Sequence, residues 1–203
     1  MKKFILFIVL LFVSFGFVSC HKQKKDVKLG EAGLVVENTI SADREYMYLH
    51  AGKDYAWFET QVTLKNYLDG DSTSSEIEKI VSVFQVVNRV DSCSFDTQVY
   101  TFSHEYGKTE VVSIKDFWIE DFALNDQKIN LTFENAYNKL MEANCPKPHS
   151  RKCTLRLQVG PIAANPQYIF GNIREQVYVD AVDGTVSTVN PAFGFNLPLG
   201  EWP

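Results

Sequence analysis

Acid–base chemistry needs a pair of carboxylates or a histidine within reach of a reacting group. Two close carboxylate pairs are present, Glu120/Asp121 and Asp180/Asp183. Both lie beside strand ends and turns, where such residues act as solvated charges or turn formers. His21, His50, His104 and His149 are scattered, and none belongs to a nucleophile motif in which a base and an orienting group stand in register. There is no Walker loop, no GxGxxG and no HExxH. Asp69, Asp71, Ser72, Thr73 and Glu76 form an oxygen-rich run of the kind calcium takes, but Ser74 occupies the sixth position, where a calcium loop turns on glycine. A helix cap explains the same residues. The sequence therefore implies no catalytic residue, no metal and no cofactor.

Position, more than chemistry, is written into the N-terminus. Lys2 and Lys3 precede an apolar run over residues 4–17 that holds five of the chain's 15 phenylalanines, Phe4, Phe7, Phe12, Phe15 and Phe17. A bilayer span needs about 20 apolar residues, so a run this short reads as the core of a signal peptide. It stops at Phe17-Val18-Ser19-Cys20. That ending resembles the lipobox of bacterial lipoproteins of the Bacteroidetes type, which implies acylation of Cys20, palmitate included, and anchorage to a membrane. His21 stands where an aspartate would mark inner-membrane retention, which points to the outer membrane, facing the periplasm or the surface. A single acyl chain holds only marginally, at about 0.8 kcal/mol per buried methylene, so two or three chains make the anchor stable. Lys22, Lys24, Lys25 and Lys28 then form a solvated tether.

The envelope is oxidising, so the remaining cysteines are free to pair. Cys145 closes an expected helix and Cys153 opens the next strand, and a bridge between them would pin that corner, leaving Cys93 reduced. Three free thiols are the alternative. No CxxC spacing suggests zinc. The chain has 203 residues with a net charge of −5, and is more acidic still once Lys2 and Lys3 are removed. It carries no basic patch interleaved with aromatics, which disfavours nucleic acid as a partner.

Two segments have helical spacing. Ser75 and Glu78 form a capping box ahead of Ile77, Ile80, Val81, Phe84 and Val87, which predicts a helix over these residues. A second helix is expected from Thr132, with Phe133, Ala136, Tyr137, Leu140 and Met141 on one face. Strands are predicted at 55–67, 95–104, 110–122, 153–159, 168–171, 176–182 and 185–189, divided by turns at Gly107, Asn165-Pro166 and Asp183-Gly184. Short connections favour antiparallel pairing, so the class is α+β, an antiparallel sheet with two helices packed on it. The runs Asp54-Tyr55-Ala56-Trp57-Phe58-Glu59 and Asp116-Phe117-Trp118-Ile119-Glu120 echo each other and suggest two tandem strand–helix–strand units. The expected organisation is a signal peptide at 1–19, a tether at 20–33, an N-terminal α+β unit at 34–125 and a C-terminal unit at 126–203. The last residues, 190–203, alternate Phe193, Phe195, Leu197 and Leu199 with glycine, asparagine and proline. So apolar a tail is expected to pack back across the sheet or an exposed edge, the alternative being a docking strip for a partner.

The stretch 129–189 runs from Leu131-Thr132-Phe133-Glu134-Asn135-Ala136 through Cys153-Thr154-Leu155-Arg156-Leu157 and Pro166-Gln167-Tyr168-Ile169-Phe170 to Val177-Tyr178-Val179-Asp180-Ala181-Val182-Asp183-Gly184-Thr185-Val186. This order is similar to PepSY domains, in which a short helix precedes an antiparallel sheet ending in a Val-Asp-Ala-x-x-Gly hairpin. The resemblance implies a PepSY-like or cystatin-like fold and a role in inhibiting or holding peptidases, with no catalytic residues to carry over. The expectation is a non-enzymatic, lipid-anchored envelope module that binds another protein, a peptidase among the candidates. The alternative is a lipoprotein that binds a small ligand, glycan or peptide, through exposed Trp57, Trp118 and Trp202.

Overall fold

The computed structural model describes residues 34–65, 76–89, 95–119 and 121–195. Cys20, Cys93, Trp202, Glu120 and the oxygen-rich run at 69–75 lie outside the described residues. The class is α+β: among the described residues, a nine-stranded, wholly antiparallel open sheet with two helices. In chain order these are α1 (Val36–Ala51), β1 (Tyr55–Leu64), β2 (Ile77–Arg89), β3 (Phe95–Glu105), β4 (Lys108–Lys115), β5 (Asp121–Phe122), α2 (Phe133–Glu142), β6 (Lys152–Gln158), β7 (Gln167–Phe170), β8 (Val177–Asp180) and β9 (Val186–Ser187). The sheet order is β4-β3-β2-β1-β6-β7-β8-β9, and β5 pairs with β6 beside this path.

Each half is one helix followed by a four-strand meander, and the halves join where β1 pairs antiparallel with β6. The repeat is therefore helix-first, and not the strand–helix–strand unit expected from the aromatic echo. Residues 54–59 of that echo lead into and open β1, whereas residues 116–119 are irregular.

The helix predicted over Ile77–Val87 is the strand β2. Its apolar residues recur at three- and four-residue intervals because two rows are superposed. Ile80, Ser82, Phe84 and Val86 form one buried row, and Val83 and Gln85 are buried on the other face. A strand buried on both sides loses the period of two. Its β-branched residues suit the pleated backbone better than a helix. With β2 a strand, the capping-box reading of Glu78 falls.

The first helix is α1, whose buried stripe is Val36, Ile40, Asp43 and Met47. The acid in mid-stripe and the exposed Tyr48 and Leu49 hide its amphipathic pattern in the sequence. Gly52 ends it at φ 63°, donating its N–H to Tyr48 O at 2.8 Å. Thr132 caps α2 as expected, accepting from the Asn135 N–H at 3.2 Å. The two helix starts meet, since the Glu37 carboxylate accepts the Phe133 N–H at 2.6 Å.

The helix-side core gathers Phe84, Phe102, Phe133, Tyr137, Phe170 and Met47, among others. Phe84 lies edge-on to Tyr55 at 5.9 Å and to Phe102 at 5.4 Å between ring centroids. The opposite face is crossed by residues 116–119, where the Trp118 N–H donates to Gln85 Oε1 at 2.6 Å. Ile162 N donates to Ala192 O at 3.0 Å, and Asn190 and Ala192 are buried, so the start of the tail packs on the loop after β6, while Phe195 is 53 % exposed. A side chain at Gly160 would collide with the Ala192 carbonyl.

A helix over 77–87 would bury Val87 and spare Val86, and the strand does the reverse. Val86→Ala is expected to cost about 2 kcal/mol, and Val87→Ala to stay within about 0.5 kcal/mol. Urea midpoints of the two variants decide between them.

Candidate functional site

The buried polar groups lie where α1 crosses the sheet. Asp43, in the middle of the α1 stripe, places Oδ1 2.8 Å from His104 Nε2, and both side chains are almost fully buried. His104 Nδ1 lies 3.1 Å from the Thr109 hydroxyl, directly opposite on β4. From the other side, the Trp57 indole N–H donates to Thr60 Oγ1 at 3.1 Å, and Thr60 meets the Ser82 hydroxyl at 3.2 Å. Burial raises the Asp43 carboxyl above its ordinary 3.8, and the opposing pull of His104 and the Ser82 hydroxyl does not cancel it. The arrangement has the order acid, imidazole, hydroxyl, but its hydroxyl is tied into a hairpin pair. It serves to hold α1 in register on β2, β3 and β4.

His21 lies outside the described residues, and the other two histidines are peripheral. His50 stacks on Tyr46 at 3.8 Å, and His149 pairs with Glu175 at 2.9 Å on the surface. Of the carboxylates singled out by sequence, Asp121 is buried against Arg156, with 2.7 Å between Oδ1 and Nε. Asp180 builds the turn to β9. Its Oδ1 accepts the Val182 and Asp183 N–H groups, and its Oδ2 accepts from Asn165 and Gln167. The Thr185 N–H holds the Asp183 carboxyl below its usual range. These are structural roles.

The aromatic candidates are not an exposed set. Trp57 is 3 % exposed, with its ring beneath the Arg44 guanidinium at 5.6 Å, because a β-bulge between Trp57 and Glu59 turns it into the core. Trp118 is half-buried, and its indole N–H is enclosed without a hydrogen-bond partner. The pairing expected of Cys145 and Cys153 is not formed. Cys153 points into the core from β6, and burial raises its thiol well above the ordinary range. Cys145 lies half-buried in the turn after α2, beside Lys147. Among the described residues no group of three or more His, Cys, Asp and Glu is placed to hold a metal ion, and no helix is long and apolar enough to cross a membrane.

Among the described residues, the edge strand β4 and a cleft at the end of α1 are open to a partner or ligand. The first is exposed at every one of its residues. Val111, Val112 and Ile114 are exposed on it, and Phe117 and Ile119 extend the apolar line beyond its end. The second is a cleft of about 600 Å³ between the end of α1, the start of β1 and the segment after β5, lined by Arg44, Tyr48, Lys53, Tyr55, Asn125 and Asp126. Sequence reasoning singled out none of Asp43, Arg44, Lys53 and Asn125, which come together only through tertiary packing. Comparison with protein-family models, with curated proteins and with solved structures finds no match for this chain.

Because the folded Asp43 carboxyl keeps its proton to higher pH than the unfolded one, the native state binds more protons from pH 3.8 up to the raised value. The unfolding free energy contributed by this group therefore falls as pH rises through that window. Urea midpoints are expected to fall with pH in the wild type relative to Asp43→Asn over the same range. His104→Ala, which leaves a buried carboxyl without its imidazole, is expected to cost about 3–5 kcal/mol, and less in the Asp43→Asn background.

Proposed function

We propose that this chain is a non-enzymatic envelope lipoprotein, anchored through Cys20, whose body holds another protein by adding that partner's strand to β4. The observation that carries the proposal is the full exposure of β4, an apolar edge with no strand beyond it among the described residues. Soluble proteins blunt such edges with short strands, bulges, prolines or inward charges. Here eight residues are regular and the centre is Val111, Val112, Ser113 and Ile114.

The hairpin geometry gives the docking register. Glu105 pairs with Lys108 across the two-residue turn Tyr106-Gly107, with Gly107 at φ 71°. The closing pair of such a hairpin is hydrogen-bonded, so the backbone N–H and C=O groups of Thr109, Val111, Ser113 and Lys115 face outward. Lys108 and Lys115 stand at the two ends of the row. Lys108 pairs with Glu110 and Lys115 with Asp96, so the matching partner is an extended segment with an apolar centre, read in the strand-addition mode.

The C-terminal half supports a PepSY-like reading: α2 precedes antiparallel β6, β7 and β8, and the Asp180-Ala181-Val182-Asp183-Gly184 turn leads to β9. On that reading the partner is a secreted peptidase or its propeptide.

Val111→Pro separates docking from folding, because it deletes an outward N–H and leaves the ladder to β3 intact. The lipidated protein, pulled down from its own envelope, is expected to bring a stoichiometric partner that is identified by mass spectrometry. Val111→Pro, folded by circular dichroism, is expected to lose that partner. Retention of the same partner by Val111→Pro, or an eluate without a specific protein, overturns the proposal.

A further inference from the structure

The cleft at the end of α1 has its own chemistry, independent of β4. Arg44 has its guanidinium carbon 5.6 Å from the centre of the Trp57 ring, and its single hydrogen bond, to Asn125 O, is long at 3.5 Å. Lys53, in the turn after α1, is exposed. Neither cation has a carboxylate partner among the described residues. Two rings, Tyr48 and Tyr55, line the same space, and Asp126 is the one carboxylate in the lining among the described residues.

The wall opposite α1 is held rigidly. Asn125 Oδ1 accepts the Trp57 N–H at 2.6 Å, its Nδ2 donates to Tyr55 O at 3.0 Å, and Leu124 N donates to Trp57 O at 2.6 Å. Asn125 is therefore a strut with its side chain fully engaged. Ligand contacts fall to Arg44, Lys53, Asp126 and the tyrosines.

This combination selects a chemistry. An arginine with most of its donors unused matches a carboxylate, which it takes bidentately. The aspartate across the cleft accepts hydrogen bonds from sugar hydroxyls. Aromatic faces beside these groups suit the carbon face of a pyranose ring. A volume near 600 Å³ falls in the range of sites for drug-sized ligands, and so accommodates a short oligosaccharide.

We infer that this cleft binds a sugar acid, with a uronate carboxylate on Arg44 and Lys53, ring faces on Tyr48 and Tyr55, and hydroxyls on Asp126. The uronate reading draws nothing from Trp118 or Trp202, and Trp57 acts only as the floor beneath Arg44.

Calorimetric titration of the full mature protein in detergent with trigalacturonate, its methyl ester and a tri-glutamate peptide tests the assignment. Trigalacturonate is expected to bind. Esterification, Arg44→Gln and Lys53→Gln are each expected to weaken it by about tenfold, the loss of one charge-assisted hydrogen bond. Lys53 is exposed, so Lys53→Gln gives an answer even if Arg44→Gln disturbs the packing on Trp57. No heat with trigalacturonate, equal binding of the ester, unchanged affinity in Lys53→Gln, or tighter binding of the peptide overturns the inference. Val111→Pro is expected to bind trigalacturonate as the wild type does, so that failure at the cleft and failure at the edge strand are read separately.

Discussion

Everything in this molecule is arranged around the pairing of β1 with β6. Glu59–Thr63 lie antiparallel to Arg156–Lys152, and these five pairs join two helix-plus-meander halves through their first strands. Antiparallel pairing of equivalent strands imposes a local two-fold relation. It sends β4 and β9 to opposite edges and lets the first turn of α1 reach the first turn of α2. The Glu37 bond to the Phe133 N–H is a consequence of that join, and a charge-assisted one. The bulge at Phe58 ends the pairing early, and β5 fills the gap, with Asp121 and Phe122 on Gln158 and Leu157. The same bulge turns Trp57 inward beneath Arg44, so the open cleft exists because the central pairing stops where it does.

A polar path runs through the N-terminal half of this apolar core: Trp57, Thr60, Ser82, Asp43, His104 and Thr109. Burying a carboxyl is costly, which is why Asp43 is raised, and a leucine at that position would pack without the penalty. What the acid adds is registry. An apolar stripe could slide on the sheet by a turn of helix, whereas Asp43 has an imidazole waiting at one position only. This explains why α1, whose stripe is narrow, nevertheless docks in one way.

The sequence was most legible where local chemistry decides the outcome. Thr132 caps α2, and Gly107 and Gly184 take positive φ in turns, and these signals act within a few residues. The antiparallel class followed from short connections. It was least legible where burial is decided at a distance. β2 reads as a helix because the helix-side core covers one of its faces and a crossing segment covers the other. α1 is hard to see because its stripe contains an aspartate whose partner lies on β3. Trp57 could pass for a surface aromatic because nothing local reveals a bulge. Of the open sites, β4 was foreseen only as part of a longer strand, and the cleft was not foreseen, since its lining comes from three separate segments.

The two halves share a plan but treat their edges differently. β9 is cut to two residues, and the chain after it turns back so that Asn190 and Ala192 are buried. β4 is eight residues long with its apolar centre in the open. One edge strand is two residues long and the other eight, so a long regular edge at β4 is no necessity of the architecture. Its Lys108 and Lys115 stand at the ends of the strand, where they leave the central backbone groups accessible, and not in the middle, where they would block addition of another strand. An edge that is long, regular and apolar at its centre invites pairing with an extended chain that meets it.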